Sequence, residues 1–184
     1  MMRAWDRSKN YVTSLRQAKR HRSDLFGWLG RRPLLMAATS GYETALLLSN
    51  KLDPKLKELA ELKTAGLINC EFCLDIGSAL ARGAGITEQQ IRDLPRYTDS
   101  SAYTALEKLV ISYAEAMTRT PAVDLEEIRE RLSKNLSRAQ LAELAATVAW
   151  ENQRARLNQG LGVRPTGMSD GAVCAIPERS VTGP

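Results

Sequence analysis

Residues 58–91 read ELAELKTAGLINCEFCLDIGSALARGAGITEQQI, and the fold turns on what flanks the two cysteines in that run. Upstream, Leu56, Leu59, Ala60 and Leu62 recur at helical spacing behind Asp53 and Pro54, an N-cap residue followed by the proline that suits a first helical position. Downstream, Ile76, Ala79 and Leu80 continue the helical pattern as far as Gly83 or Gly85. A helix is therefore expected to open near Asn69 or Cys70. Residues three apart share a helix face, so Cys70 and Cys73 come close enough there to bond. Thr87-x-x-Gln90 is a capping-box pattern for a further short helix that Pro95 ends.

The same periodicity extends outward in both directions. Residues 4–22 carry a loose apolar stripe of Trp5, Val12, Leu15 and Ala18, which Gly27, Gly30 and Pro33 interrupt. Pro33 then starts PLLMAATSGYETALLLSN, where Gly41 weakens the middle. Leu106, Leu109, Val110, Tyr113 and Met117 mark a strongly amphipathic helix with Pro121 beyond its end. Asp124 is expected to cap LEEIRERLS, whose early Glu126 and Glu127 and late Arg131 complement the helix dipole. Ser137-x-x-Gln140 opens the last long helix, with Gly160 as its expected C-cap. No segment alternates like a strand and none repeats. The expected fold is all-α, about seven or eight helices with an irregular Gly/Pro-rich C-terminal tail. Its parts are a basic helical segment at 1–32, a helical core at 33–160 and the tail at 161–184, within one domain.

Composition narrows the function classes. The chain of 184 residues is 43% hydrophobic and only 5% aromatic, so its core must be mostly Leu, Ala, Ile and Val. No apolar run approaches the roughly 20 residues that cross a bilayer, and the basic N-terminus has no apolar signal core. A cytoplasmic protein without a membrane partner is the expectation. Residues 1–32 hold nine Lys/Arg against Asp6 and Asp24, leaving the rest of the +5 chain slightly acidic. That segment reads as a solvated helix face, or one meeting an acidic patch on a neighbouring subunit. No nucleic-acid-binding motif accompanies it.

The cysteine pair admits several readings. In a reducing compartment a Cys-x-x-Cys is catalytic or metal-binding rather than a structural disulfide. A thiol at a helix N-terminus is favoured as thiolate by the unpaired N–H groups and the dipole, Cys70 more than Cys73. Such a dithiol can attack a peroxide or disulfide and then close on itself. Structural zinc wants four ligands, and only Cys174 and His21 remain, unpaired and far apart in sequence. A c-type haem wants His directly after the second Cys, where Leu74 stands. A thioredoxin-like site would follow a strand, and none is expected. Two inert buried cysteines are the remaining alternative.

The stretch quoted above resembles the core of the carboxymuconolactone decarboxylase superfamily, specifically its alkylhydroperoxidase AhpD-like branch, with the likeness spanning about residues 33–120. That branch places a Glu twelve positions before the first Cys of a Cys-x-x-Cys, and a His four after the second. Glu58, Cys70 and Cys73 match the first three. The resemblance implies an all-helical homo-oligomer that needs no cofactor. Cys73 would attack the peroxide, Cys70 would resolve it and stand exposed to an external dithiol reductant, and Glu58 would relay protons. Decarboxylation in this superfamily instead uses a pocket His without the Cys pair, the reverse of what this chain carries.

The departure is Gly77, which stands where the branch has its His. Glu58, with Glu61 or Asp75, is then expected to move protons alone, or the chain is a non-catalytic or redox-sensing member of the family. Asp75 should point away from the sulfurs, as an exposed or capping residue. Trp150, Asn152, Arg154 and Asn158 read as a polar helix end with Trp150 in the core, or as the wall of a pocket. Cys174 is either a free buried thiol or one that folds back towards the dithiol.

Overall fold

The computed structural model describes residues 4–21 and 24–178, without the side chains of residues 4–7 and 25. The expected roles of Trp5, Arg7 and Arg22 fall on side chains outside this description. Nine α-helices and one 3-10 turn make up the described secondary structure, with no strand. They are α1 (Ala4–Arg16), α2 (Asp24–Leu29), α3 (Pro33–Leu48), α4 (Pro54–Ile68), α5 (Glu71–Gly83), α6 (Glu88–Asp93), α7 (Ala105–Thr118), α8 (Leu125–Ser133) and α9 (Arg138–Gly160), with the 3-10 turn at Leu94–Arg96 after α6. The helix beyond the expected count is α2, a short one lying where Gly27 and Gly30 had suggested only a break. No helix among the described residues is long and apolar enough to cross a membrane.

The local signals operate largely as their chemistry requires. Asp53 accepts from the Lys55 N–H with Pro54 at the first helical position. Thr87 with Gln90 and Ser137 with Gln140 both form reciprocal capping boxes, and Thr104 with Glu107 forms a third. Two expectations fail. Asp124 sits at the α8 N-cap in the left-handed region, φ 56°, and makes no capping bond. Gly160 remains helical, and the left-handed residue after α9 is Gly162.

Helices α4, α7 and α9 meet around a core of Leu52, Val110, Leu132, Leu144 and Val148. Leu144 is fully buried there, so Leu144→Ala is expected to cost about 2–5 kcal/mol, the range for a truncated core leucine, read as a lower urea midpoint. A second core cluster joins α4 and α5 and holds Leu59, Leu62, Leu74 and both paired cysteines. Lys57 is buried against Glu143 and donates to the Leu46 and Ser49 carbonyls, at 3.2 and 2.8 Å. Glu143 in turn accepts the N–H groups of Lys51 and Leu52. This buried network ties the α3–α4 connection to α9.

Helix α1 packs on α5, and the expected stripe is buried only in part. Ala18, just beyond the helix, is buried as expected, Val12 and Leu15 stay partly exposed, and Ser14 is buried in their place. Asn10 donates to the Leu80 carbonyl, at 3.2 Å, across the position where a Gly83 side chain would stand. Two cations of the basic segment meet an acid of their own chain: Arg20 grips Asp170 at 2.8 and 3.2 Å, and Lys19 lies 3.7 Å from it. The segment's own Asp24 pairs with Arg164 at 2.9 and 3.0 Å.

Asp75 overturns the expectation of an exposed or capping residue. It is buried, and its carboxylate accepts the N–H groups of Thr166, Gly167, Met168 and Ser169 at 2.7–3.2 Å, plus the Thr166 hydroxyl. Successive backbone N–H groups make a concave anion nest, and here the anion is a side chain of α5. Gly167, φ 76°, supplies the left-handed residue in that turn. Beyond it Ser78 accepts from the Ala175 N–H, Arg82 donates to the Val173 carbonyl, and Lys63 donates to Glu178. The tail is thus irregular, as expected, and bound along α4 and α5.

Candidate active site

The cysteines sit where two helices meet. Helix α4 ends at Ile68, and Asn69 reverses the chain in the left-handed region, φ 60°. Cys70 is the N-cap of α5 and Cys73 lies in its first turn. Asparagine tolerates this backbone conformation because its short polar side chain bonds locally. Cys70 and Cys73 are joined as a disulfide, Cα–Cα 5.2 Å, and the Cys73 N–H donates to the Cys70 sulfur at 3.3 Å. In the reduced form that N–H and the dipole favour a thiolate at Cys70. Cys70 is 2% and Cys73 4% exposed, so the exposure expected of Cys70 is not met in this chain. Gln159 donates to the carbonyls of Ile68 and Asn69, closing the connector over the pair.

Cys73 faces a cavity of about 240 Å³. Phe26, Phe72, Ile76, Val163 and Met168 make much of its wall, and Arg154 and Asn158 provide polar groups. Asn158 is buried and donates to the Cys73 sulfur at 3.5 Å. His21, remote in sequence, lines this same cavity from the segment after α1 and is held in the left-handed region, φ 52°. The distance in sequence between His21 and the dithiol is therefore not a distance in space.

A second group, with Arg154 and Glu43 in the wall of this same cavity, adjoins Cys73. Arg154 reaches Glu43 at 2.8 Å, Glu61 at 3.7 Å, and Glu151 through its Nε at 2.7 Å as well as its Nη2. Three carboxyl groups thus surround one guanidinium. Burial, reinforced by Glu61 and Glu43 and only partly offset by Arg154, pushes the Glu151 carboxyl up to about 7. Burial works against the charged form of Arg154, but the surrounding carboxylates outweigh it and hold the guanidinium well above its ordinary range. Burial followed by the Glu43 charge raises the Tyr11 phenol.

Glu58 lines a neighbouring cavity of about 100 Å³ with Tyr11, Glu43, Glu61 and Arg154. Glu61, Glu151, Arg154, Tyr11 and Gly77 share with Cys73 a gap of about 20 Å³. A Cβ on Gly77 would lie 3.0 Å from Leu62 Cδ2, and Leu62 is itself fully buried, so this backbone has filled the room a larger residue would need.

Arg154 and Asn158 thus belong to the pocket wall, and Trp150 lies in the core stacked on Tyr42 at 4.3 Å. Glu151, Glu43 and Tyr11 went unnoticed in the sequence. The spacing of Glu151, Arg154 and Asn158 at i, i+3 and i+7 marks one polar face on α9 and is the signal that could have found the first. Cys174 is half-buried against the apolar core cluster that holds Cys70 and Cys73, donates to the Leu74 carbonyl at 3.6 Å, and has its thiol pushed up by burial. No cluster of metal-binding side chains occurs among the described residues.

Residues 33–116 match the carboxymuconolactone decarboxylase family. The uncharacterized protein YnjA of Escherichia coli is 28% identical over 153 residues, 83% of this chain and 81% of its own length. Among solved structures, a protein of unknown function from Agrobacterium tumefaciens, proposed as the antioxidant defence protein AhpD, superposes with a TM-score of 0.69. It is 22% identical, over 75% of this chain and 94% of that one. The debrominase Bmp8 superposes with a TM-score of 0.70 at 19% identity, over 84% of this chain and 87% of its own. At these identities the two structures establish the shared helical fold.

Proposed function

Because residues 33–116 match the carboxymuconolactone decarboxylase family and the chain shares the AhpD-like fold, we propose that it is a thiol-dependent oxidoreductase reducing peroxides through Cys70 and Cys73. The observation that carries this reading is a closed Cys70–Cys73 bond at a helix N-terminus, with Cys73 on the wall of a largely apolar cavity. In the reduced protein the Cys73 thiolate attacks the outer oxygen of a hydroperoxide. The O–O bond breaks, an alcohol leaves with a proton, and Cys73 becomes a sulfenic acid. Cys70 then attacks that sulfur, the disulfide forms and water leaves. An external dithiol returns two electrons and two protons. Glu58, in the cavity beside the Arg154 cluster, belongs to the proton path. The exposed apolar residues of α3, Leu34, Leu35, Tyr42 and Leu48, suit a subunit contact in a homo-oligomer.

Peroxide consumption in the presence of a dithiol tests the reading. The parent is expected to turn over, Cys73→Ser to lose turnover, and Cys70→Ser to consume one equivalent and stop as a trappable sulfenic acid. A parent without turnover, or a Cys73→Ser variant as active as the parent, defeats it.

The cavity volume favours a second reading as well, because about 240 Å³ of mostly apolar wall exceeds what hydrogen peroxide needs. The same dithiol chemistry serves a halogenated aromatic ring: two thiols become a disulfide while a carbon–halogen bond becomes carbon–hydrogen and hydrogen halide leaves. The fold likeness to a debrominase points the same way. Halide release in place of peroxide loss distinguishes the two.

A further inference from the structure

We propose that the carboxyl cluster around Arg154, with Glu151 as its proton carrier, does for Cys73 what no histidine at position 77 is there to do. This rests on the dithiol reading above and extends it to a residue outside the Cys-x-x-Cys motif. Three observations carry it. Glu151 and Cys73 line one gap with Gly77, and its volume, about 20 Å³, is that of a single water, enough to pass a proton between sulfur and carboxyl. Glu151 is 1% exposed, and its Oε1 has no hydrogen-bond partner among the described residues, while its Oε2 is held by Arg154. Finally, Glu151 is one of three carboxyl groups drawn together by a single guanidinium. Arg154 is the cation at the centre of the Glu43, Glu61 and Glu151 carboxyl groups, Glu58 and Tyr11 line the adjoining cavity, and Lys57 there is engaged by Glu143.

A thiolate at Cys73 adds a negative charge beside these carboxyl groups. One proton taken up by the cluster as Cys73 loses its own leaves the local charge unchanged, which is what a buried site requires. The Cys73 proton goes to Glu151 when the thiolate forms. Glu151 then returns it to the alkoxide as the O–O bond breaks. The Glu151 carboxyl, standing near 7, is matched to both tasks at neutral pH. His21 lines the wide cavity and not this gap, and is the natural rival for the role.

Alkylation of the reduced protein by a neutral iodoacetamide, with the Cys73 product quantified by mass spectrometry across pH 5–9, reads thiolate formation without any peroxide. It therefore separates this proposal from the peroxidase reading. The parent is expected to show an inflection near neutral pH. Glu151→Gln is expected to lose that inflection and to react roughly tenfold or more slowly at pH 7, and Glu151→Asp to recover part of the rate. An unchanged profile in Glu151→Gln, or loss of the inflection in His21→Ala instead, overturns the proposal. Should the Gln variant fail to fold, infrared difference spectra of the parent decide. A buried carboxylic-acid carbonyl band that disappears as pH rises from 6 to 8 upholds the assignment, and its absence overturns it.

Discussion

Asp75→Ala is expected to cost about 3–5 kcal/mol and to free the tail from α5. The estimate follows from what the carboxylate holds: four consecutive backbone N–H groups and one hydroxyl, all buried. A hydrogen bond to a charged acceptor contributes about 1.5–3 kcal/mol, and a buried donor left without a partner costs about 1–3 kcal/mol. Those penalties do not simply add, because a tail that detaches regains water for its N–H groups. Detachment instead sets the ceiling, through loss of the Ser78, Arg82 and Lys63 anchors further along. Asp75→Asn should be nearly as damaging, since its amide would turn a donor towards N–H groups. Thr166 and Met168 also line the Cys73 cavity, so release of the tail opens that cavity to water. Urea unfolding measures the first effect. Amide exchange at residues 166–169 and faster reaction of reduced Cys73 with a bulky disulfide reagent measure the second. Protection and thiol reactivity equal to the parent's would show that the nest is dispensable.

Helix starts were legible in the sequence because their causes are local. Thr87, Ser137 and Asp53 act within three residues of themselves, and the Asn69–Cys70 reversal follows from a helix that must stop and another that must begin. Asp75 was misjudged because helical geometry predicts where a side chain points and not what comes to meet it. The nest that meets it lies 91 residues away. The site divides the same way. Cys70 and Cys73 announce themselves by spacing, whereas Tyr11, Glu43, Glu61 and Arg154 come from α1, α3, α4 and α9 and share only a location. Gly77 was legible as a gap in the motif. Its meaning depends on Leu62, which fills the space on one side, and on Glu151, which lies across the remaining gap.

Arg154→Met is expected to produce a protein that folds at pH 5 and is less stable by about 3–5 kcal/mol at pH 8, the range for breaking a buried ion pair from one side. Methionine keeps most of the arginine volume, so the packing of α9 against α3 and α4 is largely preserved and charge dominates the outcome. Without the guanidinium, Glu43, Glu61 and Glu151 lose the cation that draws their carboxyl groups together. Their carboxyl groups then hold protons more tightly folded than unfolded. A group raised in the folded state contributes stability that is complete below its unfolded value, near 4.5, and lost as pH climbs through the folded one. Glu151 already behaves this way in the parent, being raised from 4.5 to about 7, so the parent should lose stability across that window and the variant more. The lowered carboxyl groups of Asp24, Asp170 and Glu143 act with the opposite sign and below pH 4.5, outside the window. Adding Glu151→Gln to Arg154→Met removes one of the three charges and is expected to restore much of the stability at pH 8 while changing little at pH 5. Thermal unfolding of the parent, the single and the double variant at both pH values measures this. Equal melting temperatures for Arg154→Met at pH 5 and 8 would show that the carboxyl groups are not electrostatically coupled through Arg154.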